Sequence, residues 1–349
     1  MPFFIRRIWL LARGVLVDRD HPRFDRLRSI EDPEEFVWAI LPHAARSFSI
    51  SILFLPEKAA LVAAVGYLYA RMLDTYEDLS PSRASARASL TGFANRFATN
   101  PPGPASVVPA SPVFDARDRV HILLVERCQL VDEVFLRLSP EDQKSVVGLV
   151  EEMATAMSDY SYIFEQQGGV LEDQHHVLGY CRGVMGLPAL FVMNLLLDIP
   201  SGEHTDDAYE VSELIQLANI TRDVEKDLER GVAYHPALKA HLGSDGGGDV
   251  AVVIAGARRD LVMLATERAP SFRRLVDAVN LPRLSGARAA AVLMMLLTGR
   301  SYETYAFPSR TPRPRRIATM MLTSLPAAFS PRWADRILVR VEEDLLAAA

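Results

Sequence analysis

The chain has 349 residues, 49% hydrophobic and 23% charged, which describes a globular protein able to bury a substantial core. A net charge of −6 leaves no global basic surplus, so nucleic acid is not an expected partner. Two cysteines, Cys128 and Cys181, exclude a disulfide framework or a Cys-rich zinc site and fit a reducing cytoplasm.

Phe3 to Val17 is apolar with Arg6, Arg7 and Arg13 interspersed. It is too short and too charged to span a bilayer, and no small-residue cleavage site follows it. Two placements stay open: packing on the body of the protein, or lying on a membrane surface as a basic amphipathic helix. No later run reaches transmembrane length without charges, so the expectation is a cytoplasmic protein, soluble or peripherally membrane-associated.

From there almost every segment reads as helix. One is predicted over Glu31–Ile50 behind Asp32-Pro33, and Pro56 opens the next. A third runs from Ser80-Pro81 to Ala98. Between Asn100 and Pro112 come five prolines and one glycine, which mark a loop. Further helices are predicted over Asp115–Leu138, from Ser139-Pro140 to Gln166, over Leu171–Leu197, and over Asp206–Leu228, where Arg230-Gly231 closes the element. Gly243–Gly248 has neither a preceding strand nor a phosphate-loop lysine and reads as a linker. Helices over Val250–Glu267, Ser285–Tyr305 and Arg332–Leu346 complete a single all-α domain without a fixed-period repeat.

The helix behind Pro56 carries the first site signal. Ala59 to Leu73 is apolar with no alternation, the pattern of a helix buried on most of its circumference. Asp74 and Asp78 nevertheless lie four apart on one face beside Glu77, where like charges repel by roughly 0.2–0.5 kcal/mol even when exposed. Tyr67 and Arg71 prolong the polar stripe. A second island repeats the pattern: Asn219, Asp223 and Asp227 recur every four residues, with Gln216 one turn earlier. Oxygen donors without His or Cys suit a hard cation, and Mg²⁺ is commonly held by a few carboxylates together with substrate phosphates. The alternative is two solvated stripes, the second with Asp223 and Lys226 as an i,i+3 pair; duplication on two separate helices weighs against it. Arg46, Arg71, Arg222 and Arg230 are available for charge-assisted contacts to a diphosphate.

Ala45-Arg46-Ser47-Phe48, Leu55-Pro56, Tyr67-x-x-x-Arg71, Asp74-Thr-Tyr-Glu-Asp78, Tyr180-Cys181, Gln216-x-x-Asn219, and Arg222-Asp223 through Tyr234-x-Pro236 occur in the order seen in the squalene/phytoene synthase family. From about residue 31 to about residue 320 the sequence resembles that family. The resemblance implies an isoprenoid-synthase helical bundle around a central cavity. It would comprise an N-terminal amphipathic segment (1–30), a synthase domain (31–325) and a C-terminal helix (326–349). It implies Mg²⁺ held by Asp74, Asp78, Asn219, Asp223 and Asp227, and ionisation of an allylic prenyl diphosphate. Tyr180, Tyr67 and Arg71 would take catalytic roles, Tyr180 near the cation and the other two near a diphosphate. Arg46, Ser47, Phe48, Met185, Gln216, Arg222 and Arg230 would join Arg71 in binding substrate. The Asp-Thr-x-Glu-Asp form of the first motif is closer to squalene synthases, which makes farnesyl diphosphate the preferred donor.

Three departures bear on the second substrate. Met185 stands where the family commonly has Ala, Lys226 where it often has an acid, and Val232 where a basic residue is usual. The reading is therefore head-to-head condensation of two farnesyl diphosphates to presqualene diphosphate or a squalene-type product. The rival is transfer of one prenyl group to a small aromatic acceptor, or cyclisation of a single donor. A non-catalytic helical scaffold is a third. Completion to squalene would consume NADPH; the sequence carries no dinucleotide fingerprint, and members of the family do not use one. Oligomeric state is not fixed by the sequence.

Overall fold

Several helices begin at a short polar side chain that caps the first turn. The computed structural model describes residues 3–18, 21–46, 48–108, 115–196, 204–244, 248–279, 281, 285–305 and 317–347. Among them the protein is all-α, with no strand and one isolated β-bridge, Val170 to Ala233. Close contacts group the chain into two compact units, Met1–Ser161 and Tyr162–Ala349.

The first unit holds α1 (Phe3–Leu16), α2 (Phe24–Arg28), α3 (Pro33–Ala44), α4 (Phe48–Phe54), α5 (Glu57–Leu79), α6 (Arg83–Asn95), α7 (Ala116–Glu126), α8 (Cys128–Phe135) and most of α9 (Pro140–Gln166). Asp32 caps α3 by accepting the Glu35 N–H at 2.7 Å, with Pro33 in the first turn. Ser82 and Ser85 form a reciprocal capping box on α6, and Asp115 and Asp118 do the same on α7. The unit is built around α5, which packs against α3, α4, α6, α7 and α8. Leu68, Tyr69, Met72, Leu73 and Tyr76 are all but inaccessible to solvent. Burial of each such side chain contributes about 1.5–3 kcal/mol. The Tyr69 hydroxyl donates to Asp132 at 2.7 Å, and Arg96 donates to the same carboxylate and to the Gly103 carbonyl. The start of the proline-rich loop is thereby tied to the core. α1 packs on α4, with Gly14 facing Ile50, while Arg7 donates to the Leu53 and Leu55 carbonyls at the end of α4. Trp9 and Leu16 remain exposed.

The second unit holds the last turn of α9, α10 (Gln174–Cys181), α11 (Leu187–Leu196), α12 (Thr205–Glu229), α13 (Val250–Thr266), α14 (Ser271–Ala278), α15 (Gly286–Tyr305), α16 (Ile317–Ser324) and α17 (Pro331–Leu346). Here α12 is central, packing on α10, α11, α13, α14 and α15. The Tyr302 hydroxyl of α15 donates to the Leu214 carbonyl of α12 at 2.7 Å in a fully buried position.

Three predicted helices are broken in the structure. Glu31–Ile50 becomes α3 and α4, because Pro42 deprives the last turn of α3 of a donor and Arg46 adopts a left-handed φ of 49°. Asp115–Leu138 breaks at Arg127, whose guanidinium leaves the helix line to cap the Arg28 and Ile30 carbonyls. Leu171–Leu197 is interrupted by a π turn at Arg182–Gly186. The stretch Gln174–Leu196 is long and apolar enough by composition to cross a membrane, with Arg182 inside it. α2, α14 and α16 have no counterpart among the helices the sequence predicts.

Candidate active site

In the first unit the expected residues form one chain of contacts along α4 and α5. The turn at Arg46 ends α3 and directs the chain into α4, and its carbonyl accepts the Ser49 hydroxyl at 2.6 Å. A left-handed non-glycine residue carries strain, and such strain recurs at functional turns. Phe48 then stacks on Tyr67, ring centroids 5.3 Å apart. The Tyr67 hydroxyl accepts from Arg71 Nη2 at 2.8 Å, and the guanidinium also lies over the Tyr67 ring. Arg71 Nη1 meets Asp74 Oδ2 at 3.0 Å. Ser47 lies outside the described residues.

The first acidic pair is electrostatically loaded. Burial pushes Asp74 up to about 6; Arg71 and Arg117 oppose the rise and Asp78 adds to it. Arg71 is held above its ordinary value, because Tyr67 and Asp74 outweigh burial. Arg117, in the first turn of α7, was not picked out from the sequence: it stands among other arginines, and nothing local distinguishes it.

In the second unit, α12 presents Gln216, Asn219, Arg222, Asp223 and Asp227. Arg222 forks onto its neighbour Asp223, Nε to Oδ1 at 2.8 Å and Nη2 to Oδ2 at 2.6 Å, and its Nη1 donates to Asn219 Oδ1 at 3.1 Å. Asn219 Nδ2 donates to Gln216 Oε1 at 3.0 Å. Asp227 closes the helix, its carbonyl accepting the N–H groups of Arg230 and Val232. Gly231, at φ 74°, makes the turn that follows.

That turn positions an aromatic cluster. Leu171 N–H donates to the Ala233 carbonyl and Ala233 N–H to the Gly169 carbonyl, both at 2.9 Å. Gly169 needs its glycine twice over: φ is 92°, and a Cβ would lie 2.6 Å from the Gly231 carbonyl oxygen. The bridge brings Tyr234 against Tyr180 at 5.3 Å between centroids, and Phe164 from α9 stands edge-on to both at 5.9 and 5.6 Å. Phe164 was missed in the sequence because an aromatic on an amphipathic helix reads as core. Met185 sits half-buried in the π turn, and Arg230 half-buried beyond α12.

In the first unit Asp74 and Asp78, and in the second Asn219, Asp223 and Asp227, are hard-oxygen donors of the kind Mg²⁺ takes alongside substrate phosphates. Among the described residues no three His, Cys, Asp or Glu side chains cluster closely enough to hold a metal unaided. Burial disfavours a charged Asp74 and Asp78 adds to the effect; a bound cation would offset both, so the residues present fit a cation that also meets a diphosphate.

The family profile described as "Squalene/phytoene synthase" matches residues 41–317. Among curated proteins, "Squalene synthase BSS" of Botryococcus braunii is 26% identical over 209 residues, 59% of this chain and 43% of that protein. The chain thus matches less than half the length of that relative. A "4,4'-diapophytoene synthase" of Staphylococcus haemolyticus is 33% identical over 70 residues, 20% of this chain and 25% of that one. Among solved structures, a ligand complex of TcSQS aligns with a TM-score of 0.68 at 19% identity, covering 91% of this chain and 98% of that one. A dehydrosqualene synthase complex aligns at 0.53 and 15%, covering 93% and 99%. At those identities the structural likeness speaks for the fold.

Proposed function

The chain belongs to the squalene/phytoene synthase family, and from that membership we propose that it joins two prenyl diphosphates head to head. Farnesyl diphosphate is the donor this reading prefers, with presqualene diphosphate or a squalene-type hydrocarbon as product. Members of the family are prenyl transferases. The observation that carries the reading is the repeated pairing of an arginine with an acidic motif, Arg71 on Asp74 and Arg222 on Asp223.

Diphosphate becomes a good leaving group only when its charge is met, and preorganised cations do this at the lowest reorganisation cost. Mg²⁺ held by Asp74, Asp78, Asn219, Asp223 and Asp227 would supply the larger part of that charge. Arg71 is already oriented by the Tyr67 hydroxyl, and Arg222 by Asn219, so both can turn from carboxylate to phosphate oxygens without losing every partner. Phe48 and Tyr67 offer an apolar wall beside the first motif. Tyr180, Tyr234 and Phe164 form an aromatic cluster whose ring faces would favour a developing positive charge, by about 0.5–2 kcal/mol per face, and whose bulk would exclude water. The phenol oxygen of Tyr180 is the atom available to take part in proton transfer.

Purified protein incubated with farnesyl diphosphate and Mg²⁺, with and without NADPH, tests the reading. A thirty-carbon diphosphate without NADPH is the expected product, lost in Asp74→Asn and Asp223→Asn. Absence of any coupled product under both conditions refutes it, and products derived from a single donor point instead to cyclisation or transfer to an acceptor.

A further inference from the structure

The helix that carries Tyr180 changes its winding two residues later. α10 ends at Cys181, and Arg182–Gly186 forms a π turn in which the Leu187 N–H reaches back to the Arg182 carbonyl. Pro188 accounts for the wide turn: it has no N–H to donate, and in a regular helix its ring would press on the Val184 carbonyl. Single π turns of this kind recur at functional sites.

The turn is gripped from α12 at both ends. Glu213, fully buried, accepts Arg182 Nε at 2.6 Å and also Nε of Arg268, which follows α13. Arg268 is fixed in turn by the Leu264 carbonyl at 2.6 Å. One turn before Glu213, the Tyr209 ring lies beneath the Arg182 guanidinium, 5.5 Å from it. The same ring packs on Gly186, where a Cβ would come within 2.7 Å of its Cδ1. Arg182 is thus held by charge and Gly186 by contact, on the helix that further along bears Asn219, Asp223 and Asp227. A carboxylate wholly withdrawn from water between two guanidiniums is an expensive way to stabilise a fold, and specifying a register is the best-attested use of such a group.

We propose that Arg182, Glu213 and Tyr209 are positioning residues that lock the π turn, and with it Tyr180 and Met185, in register with the second acidic motif, and that this lock decides the fate of the prenyl cation. The proposal rests on the head-to-head reading. Breaking the carbon–oxygen bond sends the electron pair off with diphosphate. The cation is then captured by the double bond of the second prenyl chain, with loss of a proton, or by water, giving a prenyl alcohol and a proton. A loosened turn favours water.

The full-length chain with Arg182→Met, Glu213→Gln or Arg182→Lys is assayed with farnesyl diphosphate and Mg²⁺, counting diphosphate released and coupled product formed. In Arg182→Met and Glu213→Gln, diphosphate release is expected to stay within about threefold of the parent, while coupled product per diphosphate falls about tenfold and prenyl alcohol makes up the balance. Arg182→Lys recovers part of the coupling. The second readout needs no turnover: amide hydrogen exchange over 181–187 rises in both damaging variants while α13 and α15 keep their protection. Arg182 is half exposed, so its variants report should Glu213→Gln fail to fold. An unchanged product ratio, or unchanged exchange over 181–187, overturns the proposal. Failure of the parent itself to release diphosphate sinks the head-to-head reading instead, and the exchange measurement then judges the lock alone.

Discussion

Asp74→Asn is expected to stabilise the ligand-free protein at neutral pH while abolishing its chemistry. Burial lifts Asp74 from 3.8 to about 6, a change equivalent to about 3 kcal/mol against the charged form. The side chain is 27% exposed, so solvent screening reduces this to about half. Because the folded value lies above the unfolded one, the folded state binds the extra proton. The group's contribution is therefore favourable below pH 4, declines as the pH rises from 4 to 6, and is lost above 6. Asparagine removes the titration. The variant should melt about 2 °C higher than the parent at pH 7.5, with the gap narrowing as the pH falls and closing near pH 4. Arg71 keeps the Tyr67 hydroxyl as a partner, so the substitution does not strand the guanidinium. Thermal melts of both proteins across that pH range test the argument. A variant that melts below the parent at pH 7.5, or a gap that does not change with pH, would show that Asp74 is not the strained group described.

Asp132→Ala removes the acceptor shared by Arg96 and Tyr69 in the core of the first unit, and should lower stability by about 3–5 kcal/mol, against about 1 kcal/mol for Tyr69→Phe, measured by urea titration. Because Arg96 also holds the Gly103 carbonyl, Asp132→Ala should open the loop near residue 103 to limited proteolysis. Gly169→Ala forces a Cβ onto the Gly231 carbonyl at a positive φ and should lower stability by about 1–3 kcal/mol. It should also shift the near-ultraviolet signal of Tyr180 and Tyr234, which circular dichroism would register.

Much of this architecture can be read from the chain itself, and the failures share a cause. Asp32-Pro33 and Asp115 announce their helices because a cap acts on its own next turn, whereas the helix expected from Ser80-Pro81 starts at Arg83 behind Ser82. The Asp-x-x-x-Asp spacing is likewise local, which is why Asp74 and Asp223 stand out before any coordinates. What stayed hidden depends on distant partners. Nothing near Arg127 says that its guanidinium will turn to cap Ile30. A left-handed turn at Arg46 carries no glycine or asparagine to mark it. Pro188 signals a disturbance but not its form, since a kink, a break or a π turn would each relieve it; Tyr209 and Glu213, more than twenty residues away, select the π turn. Tyr234 joins Tyr180 and Phe164 through the Gly169–Ala233 bridge, which no periodicity encodes.

The two acidic motifs share one more property, and it predicts how their ligands bind. In each motif one carboxylate that would meet a cation is occupied by a nearby arginine, Asp74 by Arg71 and Asp223 by both arms of Arg222. A divalent ion arriving alone must displace a guanidinium and leave it without its counter-charge. Diphosphate arriving alone draws the guanidinium away and leaves crowded carboxylates behind. When both arrive, the ion takes the carboxylates and the diphosphate takes the arginines, so no partly buried charge is left unmet. Binding of Mg²⁺ and inorganic diphosphate should therefore be cooperative, with a coupling of about 1–3 kcal/mol that is equal whichever is added first. In Arg222→Ala the ion no longer has to displace that guanidinium, so Mg²⁺ alone should bind more tightly and the coupling should shrink. Calorimetric titrations of each ligand with and without the other decide it: independent binding in the parent, or an undiminished coupling in Arg222→Ala, removes the arginines from the account.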